Sequence, residues 1–160
     1  MKLLIISDSH GNIANLKHVM GFAKKVKVGA VIHCGDWDNV ESVETVLSFG
    51  IPLYSVLGNA DIDPGLGKRL KVKSKRFAEG YLEFKLGRKK IGIIHDINIL
   101  PDVDILFCGH THQRFEEIVD GVRIVNPGAL ENRINFAVYN AVGTHETANN
   151  RVEFFDDGQT

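Results

Sequence analysis

Cysteine, proline, tryptophan and net charge are all scarce in this chain, and each shortage closes a class of explanation. Two cysteines in 160 residues, Cys34 and Cys108, are too few for a disulfide-built scaffold. Each stands directly before a glycine at the end of an apolar run, so both are read as small, reduced, buried strand residues. A net charge of -1 gives no long-range pull toward nucleic acid or an anionic membrane. No apolar stretch reaches the roughly 18 residues of a membrane span. The apolar start over residues 3–6 is too short for a signal sequence, and Asp8 ends it. The expectation is a cytoplasmic protein that avoids both membrane and nucleic acid. Hydrophobic residues at 44% and charged residues at 24% make an ordinary globular balance. One domain over residues 1–160 is long enough for a sizeable core.

What is present is a set of short polar segments, each following an apolar, β-branched run. Asp8-Ser9-His10 follows Leu3-Leu4-Ile5-Ile6, and Gly35-Asp36 follows Ala30-Val31-Ile32. Gly58-Asn59-Ala60-Asp61 follows residues 53–57, and Gly109-His110-Thr111-His112 follows residues 103–107. Such runs read as buried parallel strands, and ligands bind outside the carboxyl ends of such strands. Strands are expected at 2–7, 30–34 and 52–57, with helices at about 12–27 and 39–49 between them. Asn39 caps the second helix. The β-α-β-α-β start argues for right-handed crossovers. Further strands are expected at 81–86, 90–95 and 103–108. Asp120-Gly121 joins 115–119 to 122–125 as a hairpin, and 134–142 pairs with 151–155. The fold class is therefore α/β, with two packed mixed sheets flanked by helices.

These strand ends deliver Asp, His, Asn and Asp side chains to one edge, an oxygen and imidazole set suited to one or two divalent transition metals. Asp8 and His10 are two residues apart on a strand end and so face the same side. His110 and His112 repeat that spacing, and His95 ends the strand Ile91-Gly92-Ile93-Ile94. Asp36, with two carboxylate oxygens, can bridge two ions.

In order along the chain, the Asp-x-His, Gly-Asp, Gly-Asn-x-Asp, isolated His and Gly-His-x-His segments resemble the calcineurin-like metallophosphoesterase superfamily. The likeness is to its small single-domain bacterial and archaeal phosphodiesterase branch. The resemblance implies a four-layer α/β/β/α sandwich and a dinuclear site. Asp8, His10, Asp36 and His112 would hold the first metal; Asp36, Asn59, His95 and His110 the second. It implies Mn, Ni or Fe, with Zn or Co compatible, and attack by a metal-bridging hydroxide on a small phosphate ester, more fitting for a phosphodiester than a monoester. Asn59 would also touch substrate. Relatives often form dimers, although nothing in the sequence fixes a homodimer interface.

The chain departs from the superfamily pattern twice. Ala60 stands where many members have a His that protonates the leaving group. Asp61, which would orient that His, is kept as a weak catalytic residue behind the ligands. After His95 the chain reads Asp96-Ile97-Asn98, and only 14 residues separate His95 from His110. Asp96 is a weak substrate-contacting candidate whose charge would disfavour monoesters. Two rivals follow: a catalytically weak scaffold resembling the retromer subunit of similar fold, and a nuclease.

Other features have blander readings. His18 is a surface residue, and His33 a hydrogen-bonded core histidine or one that supports a ligand. Trp37 either shapes the pocket or packs. His145 lies in a polar, mobile loop at 143–150 and has no role. Lys68, Arg69, Lys71, Lys73, Lys75 and Arg76 are expected on an exposed edge strand as protection against aggregation. Asn126-Pro127-Gly128 is a structural turn near the site.

Overall fold

The computed structural model describes residues 1–141 and 150–158. The loop expected at 143–150, with His145, falls outside the described residues except for Asn150.

The first strands alternate apolar side chains to both faces, and both faces are covered. β1 (Lys2–Ile6), β2 (Ala30–His33) and β3 (Leu53–Ser55) pair in parallel, joined by α1 (Ile13–Lys25) and α2 (Val40–Leu47). Leu4, Ile6 and Val31 point toward the helices, packing with Leu16, Val19 and Met20 of α1 and Val43 and Val46 of α2. Leu3, Ile5, Ala30 and Ile32 point the other way, into a core shared with the second sheet. The carboxamide oxygens of Asn12 and Asn39 accept the Asn15 and Ser42 N–H groups and cap the two helices.

The basic stretch corrects the expectation of an edge strand. Residues Pro64–Lys73 form α3, and only Arg76–Phe77 adds a short parallel strand, β4, beside β3. Asp63 caps α3, Pro64 opens it, and Leu66 and Leu70, one turn apart, are buried against the helix-side core. The cations are left on the outer surface, and Arg69 pairs with Glu44 of α2.

The second half builds β5 (Tyr81–Leu86), β6 (Lys89–Ile94), β7 (Ile105–Phe107), β8 (Phe115–Val119), β9 (Val122–Asn126), β10 (Phe136–Asn140) and β11 (Arg151–Phe155). β10 and β11 return to the first sheet, giving the order β11-β10-β1-β2-β3-β4; the second sheet runs β5-β6-β7-β9-β8. Both are mixed. Ile91, Ile93, Ile105, Phe107 and Val125 meet the first sheet in the central core. The fold is the expected α/β pairing of two sheets, with one difference. Among the described residues all three helices pack on the first sheet, and the outer face of the second is covered by Ile97, Leu100 and Val103 from the coil after β6. The connection before β7 is too short to hold a crossover helix of ordinary length.

Candidate metal centre

Three of the five donor segments turn through left-handed backbone, those of Asp8 and His10, of Asp36, and of His110 and His112. Asp8 (φ 52°), His10 (39°), Asp36 (59°), His110 (66°) and His112 (58°) hold positive φ without being glycine. That region costs an ordinary residue of order 1–3 kcal/mol and is held only where the surroundings fix it. The expectation that Asp8 and His10 share a strand face is thereby corrected. β1 ends at Ile6, and tight turns rather than strand alternation bring the two side chains together. Backbone bonds lock the first two segments edge to edge: the N–H groups of Asp8, His10 and Gly11 donate to the carbonyls of Gly35, Asp36 and Trp37 at 3.0, 3.1 and 3.1 Å. Two motif glycines allow close approach. A Cβ on Gly58 would lie 2.1 Å from Asp36 Oδ1, and one on Gly109 would lie 2.0 Å from Ser7 Oγ and 2.6 Å from Asp8 Oδ2.

The structure brings all seven proposed ligands to one basin. Asp8, His10, Asp36 and His112 each offer one ligand atom, all within 4.8 Å of one another. On the other side of Asp36, His95 Nε2 lies 3.3 Å from Asp36 Oδ2 and 3.0 Å from Asn59 Oδ1. His110 Nδ1 lies 2.9 Å from the same Asn59 oxygen. His10 Nε2 is 3.5 Å from Asp36 Oδ2, and His112 Nε2 is 3.3 Å from Asp8 Oδ1. Two histidine pairs, His10–His112 and His95–His110, have ring centroids 5.4 and 5.2 Å apart. The carboxylates form the buried floor, Asp8 fully and Asp36 at 2% exposure, while His110 and His112 stand open to solvent.

The chemistry of these donors fits a cation. His95 Nδ1 lies 3.0 Å from the Cys34 carbonyl, which can only accept, so Nδ1 carries the hydrogen. In the neutral ring the Nε2 lone pair then faces two further acceptors, Asn59 Oδ1 and Asp36 Oδ2. Three converging lone pairs demand either a proton or a metal ion between them. The buried carboxylates pose the same demand, since their close ion-pair partners are histidines. Burial holds the Asp8 carboxyl above its ordinary range, against the Ser7 hydroxyl and the charges of His95 and His112. Burial also pushes Asp36 up, but its bond to His95, the Ala60 N–H and the charges of His95 and His10 outweigh it, leaving Asp36 low. Burial lowers His95, and Asp36 and Asp8 more than offset that, so its imidazole is raised. Both shifts run in the direction that favours a positive charge on His95 beside the Asp36 carboxylate.

Around this basin the remaining candidates fall into supporting positions. Asp61 is occupied by backbone: Oδ1 accepts the N–H groups of Trp37 (2.7 Å) and Asp38 (2.9 Å), and Oδ2 those of Asp36 (3.0 Å) and Gly58 (2.8 Å). Burial raises its carboxyl, countered by the bonds from Gly58, Asp38 and Trp37. Asn126 is buried and donates to the Gly109 carbonyl (2.7 Å) and Thr111 Oγ1 (3.1 Å), tying the hairpin strand β9 to the His-x-His turn. Asp96 is exposed, and its charge acts on the Cys108 thiol, which burial pushes up to about 12. Trp37 packs: it is fully buried, and its indole N–H donates to Ser55 Oγ at 3.0 Å. His18 is on the surface, and Cys34 and Cys108 are free and buried. Ser9, which drew no attention in the sequence, is buried behind the turn. Its only sequence signal is its place between Asp8 and His10.

His33 is fully buried, and burial first, then the charge of His95, lowers its imidazole well below the usual range. The unfolded chain titrates this ring near about 6.5. Below that pH the unfolded state takes up a proton that the folded state refuses, so stability falls as pH drops from neutrality toward the depressed folded value. In EDTA, His33→Phe should make the loss of unfolding free energy between pH 7.5 and 5.5 smaller by about 1.4 kcal/mol than in the parent, as read by urea titration. An identical loss in both chains would contradict a buried neutral His33.

A sandwich of two sheets that gathers buried carboxylates and imidazoles at the ends of its parallel strands is the frame of a metallophosphoesterase. The chain belongs to the calcineurin-like phosphoesterase superfamily, whose domain model matches residues 1–150. It is 27% identical over 143 residues to a phosphodiesterase of Methanocaldococcus jannaschii, covering 80% of this chain and 83% of that one. It is 28% identical over 140 residues to a probable metallophosphoesterase of Mycoplasma pneumoniae, covering 81% and 79%. A solved archaeal phosphodiesterase shares the fold with a TM-score of 0.81 at 22% identity, covering 98% of this chain and 99% of that one. Vps29 of Entamoeba histolytica, solved with zinc, shares it with a TM-score of 0.67 at 20% identity, again covering 98% and 99%. Among the described residues no helix is long and apolar enough to cross a membrane.

Proposed function

We propose that the chain is a metal-dependent phosphodiesterase acting on small phosphate esters at a dinuclear centre. Asp8, His10, Asp36 and His112 would hold one ion, and Asp36, Asn59, His95 and His110 the other. The observation that carries this reading is the position of Asp36 Oδ2, within 3.5 Å of His10 Nε2 on one side and 3.3 Å of His95 Nε2 on the other. When bound, two divalent ions supply positive charge for a phosphate ester, lower the pKa of water and stabilise the attacking and leaving oxygens of an in-line displacement. The mixed nitrogen and oxygen donors suit Mn, Ni or Fe, with Zn or Co compatible, over Mg or Ca.

The chain's own side chains set the rest. Asp8 and Asp36 furnish the two formal negative charges, while Asn59 contributes a neutral oxygen. The exposed His110 and His112 leave the basin open, which fits a permissive small-molecule site. Ala60 offers no proton to a departing alkoxide, and the Asp61 oxygens are taken up by four backbone N–H groups, so Asp61 is a positioning residue. The leaving group must then depart as an anion. General-acid help is typically worth 10²–10⁴-fold, so an aryl phosphodiester is expected to outpace an alkyl one by about 10²-fold or more. The phosphodiesterases among the relatives support a diester over a monoester.

The test is hydrolysis of aryl and alkyl diesters and an aryl monoester, with EDTA and with Mn²⁺, Ni²⁺, Mg²⁺ and Zn²⁺ in turn. Turnover restored by Mn²⁺ or Ni²⁺ and abolished by EDTA is the expected result. Tight ion binding without turnover would favour a scaffold like the Vps29 fold relatives, and cleavage of DNA or RNA would favour a nuclease. Equal rates on alkyl and aryl esters would contradict the missing proton donor.

A further inference from the structure

Behind the basin, a buried chain of polar groups joins the two turns that present Asp8, His10 and Asp36. The Gly35 N–H lies 3.2 Å from His33 Nδ1, and a backbone amide can only donate, so Nδ1 accepts. The ring hydrogen of neutral His33 must therefore sit on Nε2, which lies 3.0 Å from Ser9 Oγ. The Ser9 hydroxyl, having accepted from His33, donates onward to the Asp36 carbonyl at 3.4 Å. Ser9 and His33 are both fully buried. The Trp37 ring stacks on His33 with centroids 3.5 Å apart and planes 13° from parallel, which fixes the orientation of the imidazole. Each donor and acceptor on the ring is thus used once, by groups on opposite sides of the seam between the two turns.

We propose that His33 and Ser9 are positioning residues for metal binding, a single bridge that holds the Asp8-Ser9-His10 turn in register with Gly35-Asp36. Both turns place ligands in left-handed backbone, Asp8, His10 and Asp36 among them, and such conformations persist only when neighbouring contacts over-determine them. The direct backbone bonds across the seam, from Asp8 to Gly35 and from His10 to Asp36, run along its edge. The His33–Ser9 bridge ties it from beneath and converges on the carbonyl of Asp36, the residue proposed to be shared by both ions. Release of the bridge lets the Asp8 and His10 donors drift from the Asp36 carboxylate, and the centre loses affinity before the fold is lost. Outer partners of metal ligands are typically worth 10–100-fold in affinity.

This inference rests on the metal-centre reading above. Its test is calorimetric titration of the metal-free chain with Mn²⁺, comparing the parent with Ser9→Ala, His33→Phe, the double variant and Asp36→Ala, with unfolding midpoints in EDTA measured alongside. Ser9→Ala and His33→Phe are each expected to weaken Mn²⁺ binding about tenfold or more, and the double variant no further than the weaker single, because the two act through one bridge. Parental affinity in Ser9→Ala with only a lowered midpoint would make the pair a fold-stabilising contact and overturn the proposal. Losses that multiply in the double variant would overturn the single bridge. If His33→Phe fails to fold, Ser9→Ala, which removes one oxygen, still decides. If the parent binds no Mn²⁺, or Asp36→Ala binds as tightly as the parent, the metal centre itself is wrong and falls separately.

Discussion

Asp36→Asn is expected to reduce Mn²⁺-stimulated hydrolysis of an aryl phosphodiester by about 10³-fold or more while leaving the fold intact. The substitution keeps an oxygen in place to accept the Ala60 N–H, 2.9 Å away in the parent, and so preserves the contact between the second and third donor turns. What it removes is the charge between His10 and His95. A carboxylate oxygen shared by two ions cannot be matched by a neutral amide, which, with its oxygen held by the Ala60 N–H, puts an NH₂ group in place of Oδ2 between His10 and His95. Metal-derived stabilisation of a transition state is worth several kcal/mol, and at 1.36 kcal/mol per decade that amounts to about 10³-fold in rate. The measurement is kcat/KM at saturating Mn²⁺, with the unfolding midpoint as control. Activity within tenfold of the parent would show that Asp36 does not bridge.

The second large effect concerns stability. Asp61→Ala removes the acceptor of four backbone N–H groups, those of Asp36, Trp37, Asp38 and Gly58. Hydrogen bonds to a charged acceptor contribute about 1.5–3 kcal/mol each, and orphaned buried donors cost about 1–3 kcal/mol. Asp61 is partly reached by water, which can repay some of these, so a net loss of about 3 kcal/mol is expected. In a chain of this length that lowers the midpoint by about 6–12 °C. Asp61→Asn should also destabilise, because its NH₂ meets N–H donors with no acceptor to offer. A residue serving only as a proton donor behaves oppositely. Its Asn variant would keep the parental midpoint and lose rate selectively on alkyl esters.

Much of this architecture is legible in the sequence because the parallel strands are buried on both faces. Apolar β-branched runs such as Leu3-Leu4-Ile5-Ile6 have few other uses, and the polar residue ending each run marks the sheet edge where ligands collect. Asn39 announced its helix through ordinary capping chemistry. The helix Pro64–Lys73 was harder to see, since Gly65 and Gly67 lower its propensity and its apolar face is reduced to Leu66 and Leu70. The Asp63-Pro64 start signal stands just before a run of cations whose alternating spacing also fits an exposed edge strand. At the site, residue types and spacing pointed to the donors, but not to the left-handed turns that aim them. Asp, Asn and His tolerate that backbone better than most side chains, yet nothing in Asp8-Ser9-His10 requires it. Long-range partners were equally hidden. The bonds that Asp61 accepts from Asp36–Asp38 and that Ser9 accepts from His33 join segments about 24 residues apart, a relation that only the paired strands create.

The most direct measurement is anomalous diffraction at the manganese edge from crystals of the parent chain grown with Mn²⁺. Two anomalous peaks on either side of the Asp36 carboxylate are expected, one among Asp8, His10 and His112 and the other among Asn59, His95 and His110. An empty basin at saturating Mn²⁺, or ions bound only elsewhere on the surface, would contradict the dinuclear centre outright.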